Sequence, residues 1–134
     1  MVYLCDDDVD DLEIVQVALI QNSYKGPVKT VLNGQALMDD LHNINGQQKP
    51  DVILLDLNMP LKDGFKVLKE IKGDPKFNTI PVIVLTSSSN KNDEIRCIEL
   101  GCRYFFKKPF SMQEYQSVIM VVKGFIPNEN QSTP

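Results

Sequence analysis

At 134 residues, with 43% apolar and 24% charged, the chain has room for one domain that buries about two-thirds of its unfolded surface. A formal charge of -4 excludes nucleic-acid binding through a general basic field, and the apolar runs fall far short of a bilayer span. Three cysteines with no C-x-x-C pair disfavour a zinc or thioredoxin-like site.

The first apolar run, Val2–Cys5, ends in Asp6-Asp7-Asp8. Leu12, Val15 and Leu19 follow at helical spacing, with Ile14 and Ala18 widening the stripe. Asp8 or Asp10 is the expected N-cap, and Asp10 and Asp11 read as acids placed to suit the helix dipole. Val28–Leu32 is more mixed and reads as an edge strand, and Ala36, Leu37 and Leu41 mark a short helix after Asn33-Gly34.

Val52–Leu55 is a buried-type strand ending in Asp56. Phe65, Leu68 and Ile71 mark a helix stopped by Gly73 and Pro75. Val82–Leu85 ends in Thr86-Ser87, and Ile95, Ile98 and Cys102 mark the next helix. Tyr104–Phe106, a second edge candidate, runs into Lys107-Lys108-Pro109. Met112, Tyr115, Ile119 and Val122 define the last helix, which Ser111 and Glu114 open in capping-box form.

Gly26-Pro27, Asn45-Gly46, Gly73-Asp74-Pro75 and Asn90-Lys91-Asn92 separate the elements. The alternation predicts an α/β fold, (βα)5, with a five-stranded doubly wound parallel sheet over residues 1–126 and a flexible tail at 127–134. No signal peptide is read at the start, and buried, reduced cysteines fit a cytoplasmic protein.

In a parallel sheet all strand C-termini share one edge, where open α/β sheets bind ligands. If the first and third runs are neighbours, Asp6, Asp7 and Asp56 meet there. Carboxylates about 4 Å apart repel by roughly 4 kcal/mol per pair at an effective dielectric near 20. Such a cluster calls for a cation or for raised pKa values, and Mg²⁺ suits hard oxygen donors. Thr86 could donate to a phosphoryl oxygen. Lys108 puts an ammonium at the same edge, while alternation sends Lys107 to the surface. Pro109 could hold its turn as a cis bond.

The pieces LCDDD (4–8), VILLDLNMPLKDGF (52–65), VIVLTSSS (82–89) and YFFKKPF (104–110) resemble the receiver (CheY-like response regulator) domain of two-component signalling over nearly the whole chain. The DDDVDD opening and GDPKFNTIP (73–81) look like single-domain regulators serving bacteriophytochrome-type sensor kinases. The resemblance implies a flavodoxin-like strand order 2-1-3-4-5. It makes Asp56 the phosphoacceptor and assigns Mg²⁺ to Asp6, Asp7, Asp56 and the Asn58 carbonyl, with Asp7 direct and Asp6 through water. Thr86 becomes the switch hydroxyl, Ser87 a phosphoryl-contacting N–H, Lys108 the phosphoryl-contacting lysine, and Phe105 the switch aromatic. Asn58 and Ser88 would tune the lifetime of the phosphorylated state.

The implied function is a response regulator, not a turnover enzyme. It takes a phosphoryl group from a sensor histidine kinase or histidine phosphotransfer protein, loses it slowly to water, and switches the face made by helix 4, strand 5 and helix 5 to control a partner or relay the phosphate. No nucleic acid or membrane is expected as partner, and the state would be monomer or weak homodimer. A Mg²⁺-dependent phosphohydrolase would need an acid at Asn58 and a cap domain. A flavin mononucleotide binder would need a glycine- and hydroxyl-rich loop at Asp6-Asp7-Asp8. A scaffold that never sees phosphate leaves the combined set unexplained.

Overall fold

The computed structural model describes residues 1–44, 49–88 and 90–127; the tail at 128–134 and the Asn45-Gly46 turn lie outside them. Ten elements alternate: β1 (Val2–Cys5), α1 (Val9–Gln21), β2 (Val28–Val31), α2 (Gly34–His42), β3 (Val52–Leu55), α3 (Gly64–Gly73), β4 (Val82–Thr86), α4 (Lys91–Glu99), β5 (Tyr104–Lys107) and α5 (Met112–Gly124). The strands form one parallel sheet in the order β2-β1-β3-β4-β5. The expected fold and strand order are therefore observed.

Burial follows position in the sheet. Every residue of β1, β3 and β4 is buried, because helices cover both faces, whereas β2 and β5 are largely open edges. One core layer lies under α1 and α5 and takes Val2, Leu4, Val52, Leu54, Ile83 and Leu85. The other lies under α2, α3 and α4 and takes the alternate residues, among them Tyr3, Cys5, Ile53, Leu55, Val82 and Val84. Each fully buried Leu, Ile or Val contributes roughly 1.5–3 kcal/mol.

Caps set the helix starts. Asp8, Asn33, Asp63, Asn90 and Ser111 each accept a hydrogen bond from a first-turn N–H of α1 to α5 respectively. The expected apolar stripe of α4 is corrected: Ile95 and Ile98 are 46% and 55% exposed, and Cys97 alone of this helix is buried. Nine residues at the sheet margin bury a narrow line, and the Arg96 guanidinium covers the Phe65 ring at 4.0 Å. Cys102 lies beyond the helix. Likewise Val118 replaces Met112 in the buried stripe of α5, and Val67 joins that of α3. The 74–81 connection carries Phe77 and Ile80 into the core.

Gly64 opens α3 where the chain doubles back over the end of β3. A Cβ there would lie 2.5 Å from the Asp56 carbonyl oxygen and 2.7 Å from Leu57 Cα, both backbone atoms. Gly64→Ala should cost about 1–3 kcal/mol in urea denaturation, whereas Gly73→Ala, with nothing within 4 Å, should cost nothing. Equal midpoints for the two variants would show that the tight approach relaxes freely.

Candidate functional site at the C-terminal edge of the sheet

The sheet reverses its winding at β1, which has β2 on one side and β3 on the other; such switch points open a crevice at the strand ends. Cys5 is in register with Leu55, so Asp6 and Asp56 each stand one residue past the paired positions. The Asp56 N–H donates to the Cys5 carbonyl at 3.0 Å and the Asp6 N–H to the Val31 carbonyl at 3.1 Å. Backbone pairing thus delivers two carboxylates to neighbouring points of one edge.

Asp6, Asp7 and Asp56 each offer a carboxylate oxygen within 4.8 Å of the others. Asp6 and Asp56 are 7% and 5% exposed, while Asp7 faces solvent. Asp56 Oδ1 accepts from the Leu57 N–H at 2.8 Å, and its Oδ2 lies 3.6 Å from Lys108 Nζ. Asp6 Oδ1 accepts from the Asp8 N–H at 2.9 Å, and its Oδ2 is 2.8 Å from Lys108 Nζ.

Burial pushes the Asp6 carboxyl up to about 6; the Lys108 and Asp8 hydrogen bonds pull it back, and the Asp56 charge adds to the rise. For Lys108 burial works downward, but hydrogen bonds to Asp11 and Asp6 and the charge of Asp56 prevail and hold it above the ordinary lysine value. It is a fixed cation.

The closest partner of Lys108 is Asp11, at 2.6 Å, which corrects its reading as a helix-start acid alone. Asp11 is in the first turn of α1, but it also lies one helical repeat before Val15 on the buried stripe. A carboxylate at a core-facing position was the available signal. Asp10, one step round the helix, is exposed.

Lys108 reaches the cluster because β5 pairs Lys107 with Thr86, and the Lys108 N–H then donates to the Thr86 carbonyl at 2.7 Å. Lys107 points outward, its ammonium 5.7 Å from the Phe110 ring. The cis turn at Pro109 is corrected: no peptide bond among the described residues is cis, and the backbone pairing to Thr86 already sets the direction of Lys108 with the commoner trans isomer.

Thr86 is fully buried at the end of β4 and its Oγ1 accepts from the Ser88 N–H at 3.4 Å. Ser88 Oγ donates to Asp93 on α4 at 2.7 Å, and Ser87 is exposed. Phe105, paired with Val84, is half-buried against the core layer of α2, α3 and α4. Asn58 is exposed just past Asp56, in a loop where Leu61 holds a φ of 69°, a left-handed conformation rare outside glycine.

Three carboxylates, Asp6, Asp11 and Asp56, therefore share one ammonium, Lys108, and a fourth, Asp7, adjoins Asp6 and Asp56. The excess negative charge and the hard oxygen donors fit a divalent cation of the Mg²⁺ or Mn²⁺ kind on the open, Asp7 side.

The family model for the response regulator receiver domain matches residues 2–120. The response regulator Rcp1 of Synechocystis sp. is 32% identical over 128 residues, covering 93% of this chain and 87% of that protein. The crystal structure of its Mn²⁺-bound form superposes with a TM-score of 0.82 at 31% identity, over 99% of this chain and 97% of the other. The phosphorylated cyanobacterial phytochrome response regulator RcpA superposes with a TM-score of 0.84 at 32% identity, over 97% and 95%.

Proposed function

The chain belongs to the response regulator receiver domain family, and from that membership we propose that it accepts a phosphoryl group on Asp56 from the phosphohistidine of a sensor kinase or phosphotransfer protein. The observation that carries this reading is the meeting of Asp56 with Asp6, Asp7 and Lys108 at the β1–β3 edge.

Phosphoryl transfer has a loose transition state with charge on the equatorial oxygens, so positioning and positive charge are what the protein must supply. Asp56 Oδ1 is held by the Leu57 N–H, which leaves Oδ2 to attack phosphorus in line with the departing histidine nitrogen. Lys108, 3.6 Å from that oxygen, stands ready to neutralise the incoming group. Mg²⁺, when bound by Asp7, Asp56 and the Asn58 carbonyl, with Asp6 through water, supplies two further charges. The Thr86 hydroxyl and the Ser87 N–H hydrogen-bond the bound phosphoryl group. Movement of Thr86 passes to Phe105 and the face formed by α4, β5 and α5. Asn58 and Ser88 border the path of the hydrolytic water. The likeness to Rcp1 and RcpA supports a phytochrome-type kinase as donor.

Incubation with an autophosphorylated phytochrome-type kinase and Mg²⁺ should move the label from kinase to this chain within minutes. Retention of all label on every histidine kinase tried, and on small phosphodonors, would overturn the reading. Asp7→Ala should weaken Mg²⁺ binding at least as much as the roughly 10–100-fold loss seen when an outer partner of a metal ligand is removed. Asp10→Ala should leave it unchanged. NMR titration separates the two, and equal losses would mean the cation sits elsewhere.

A further inference from the structure

The end of α4 is a Schellman turn. Gly101, at a φ of 104°, follows the C-cap Leu100; its N–H donates to the Ile98 carbonyl and the Cys102 N–H to the Cys97 carbonyl, each at 3.0 Å. In this motif the side chains three before and two after the cap touch, normally as an apolar contact. Here both are cysteines, buried in the same core layer.

We propose that Cys97 and Cys102 form a redox site, closing to a disulfide when the protein meets a peroxide and reopening with a thiol reductant. A disulfide needs Cα atoms about 4.4–6.8 Å apart. With standard backbone dimensions, the 3.0 Å hydrogen bond limits their separation to about 7 Å if every atom were collinear. The bends at the carbonyl and the amide bring it inside that window.

Cys102 is the attacking sulfur. It is 8% exposed against 0% for Cys97, and it sits beside Gly101, over which the Lys72 side chain passes. The hydrogen bond between the thiols lowers Cys102 and raises Cys97 from the ordinary thiol value; burial works upward on both, and the Lys72 charge lowers Cys102 further.

The Cys102 sulfur takes one peroxide oxygen, the O–O bond breaks, and hydroxide leaves with the thiol proton as water. The Cys97 sulfur then displaces that oxygen from Cys102, and its own proton completes a second water. Two thiols are oxidised and one peroxide is reduced. The bridge ties the last turn of α4 to the connection that leads into β5.

Both cysteines fall on one tryptic peptide, 97–103, bounded by Arg96 and Arg103. Wild-type chain treated with hydrogen peroxide, alkylated unfolded and digested should yield this peptide lighter by two hydrogens and unalkylated. Dithiothreitol before alkylation should return it doubly alkylated. A peptide that stays doubly alkylated, or gains oxygen without losing hydrogen, overturns the site. Cys97→Ser should trap a sulfenic acid at Cys102, while Cys102→Ser leaves Cys97 unmodified; the reverse order overturns the assignment of the attacking sulfur.

Discussion

Asp56→Asn should gain no phosphoryl group under conditions in which the wild type gains one. An amide oxygen still accepts from the Leu57 N–H, so the loop after β3 keeps its 2.8 Å anchor and the chain should fold. What disappears is the anionic oxygen that must form the bond to phosphorus. Removal of one of four clustered carboxylates also relieves repulsion. The variant should therefore be no less stable than the wild type without metal. Intact mass after a small phosphodonor and Mg²⁺ reads the chemistry, and urea denaturation reads the fold. Labelling of the variant to the wild-type extent would move the acceptor to another carboxylate, with exposed Asp7 the first to examine.

Lys108→Ala should produce the largest loss of stability in the site. It strips the counter-ion from Asp6 and Asp11, at 2.8 and 2.6 Å, and from Asp56 at 3.6 Å. Breaking a buried ion pair by removing one partner costs about 3–5 kcal/mol, because the remaining charge stays buried and unpaired. Mg²⁺ should restore more stability to this variant than to the wild type, since a cation then offsets charge that the ammonium formerly covered. Phosphorylation should be slow even so, through loss of a charge-assisted contact worth on the order of 1.5–3 kcal/mol. Phe105→Ala should leave labelling of Asp56 intact and blunt only the phosphorylation-dependent hydrogen exchange at α4, β5 and α5. Urea denaturation across Mg²⁺ concentrations checks the first claim. A loss below about 1 kcal/mol without metal would mean that Lys108 is dispensable to the folded site.

The strands, their order of burial and the polar group ending each one were legible in the chain, because a strand covered on both faces must be continuously apolar. Val2–Cys5, Val52–Leu55 and Val82–Leu85 could hardly be anything else. Caps were legible for the same local reason, as Asp8 and Ser111 show. Helix faces at the sheet margin were not: Ile95 and Ile98 have helical spacing but point to solvent, since only a sliver of α4 meets the sheet.

By itself the sequence determined that Asp6, Asp7, Asp56, Thr86 and Lys108 would all stand at strand ends, since the short apolar runs stop where polar residues begin. Only the tertiary structure decided what those residues touch. Whether Lys108 meets Asp56 or Asp11 depends on how α1 rotates against β5, across a sequence gap of 97 residues. The contact between Cys97 and Cys102, by contrast, is local, closed by Gly101 turning left-handed at the end of α4. Strand burial is a property of each segment alone. The pairing of charges is a property of how segments pack, and no local pattern encodes it.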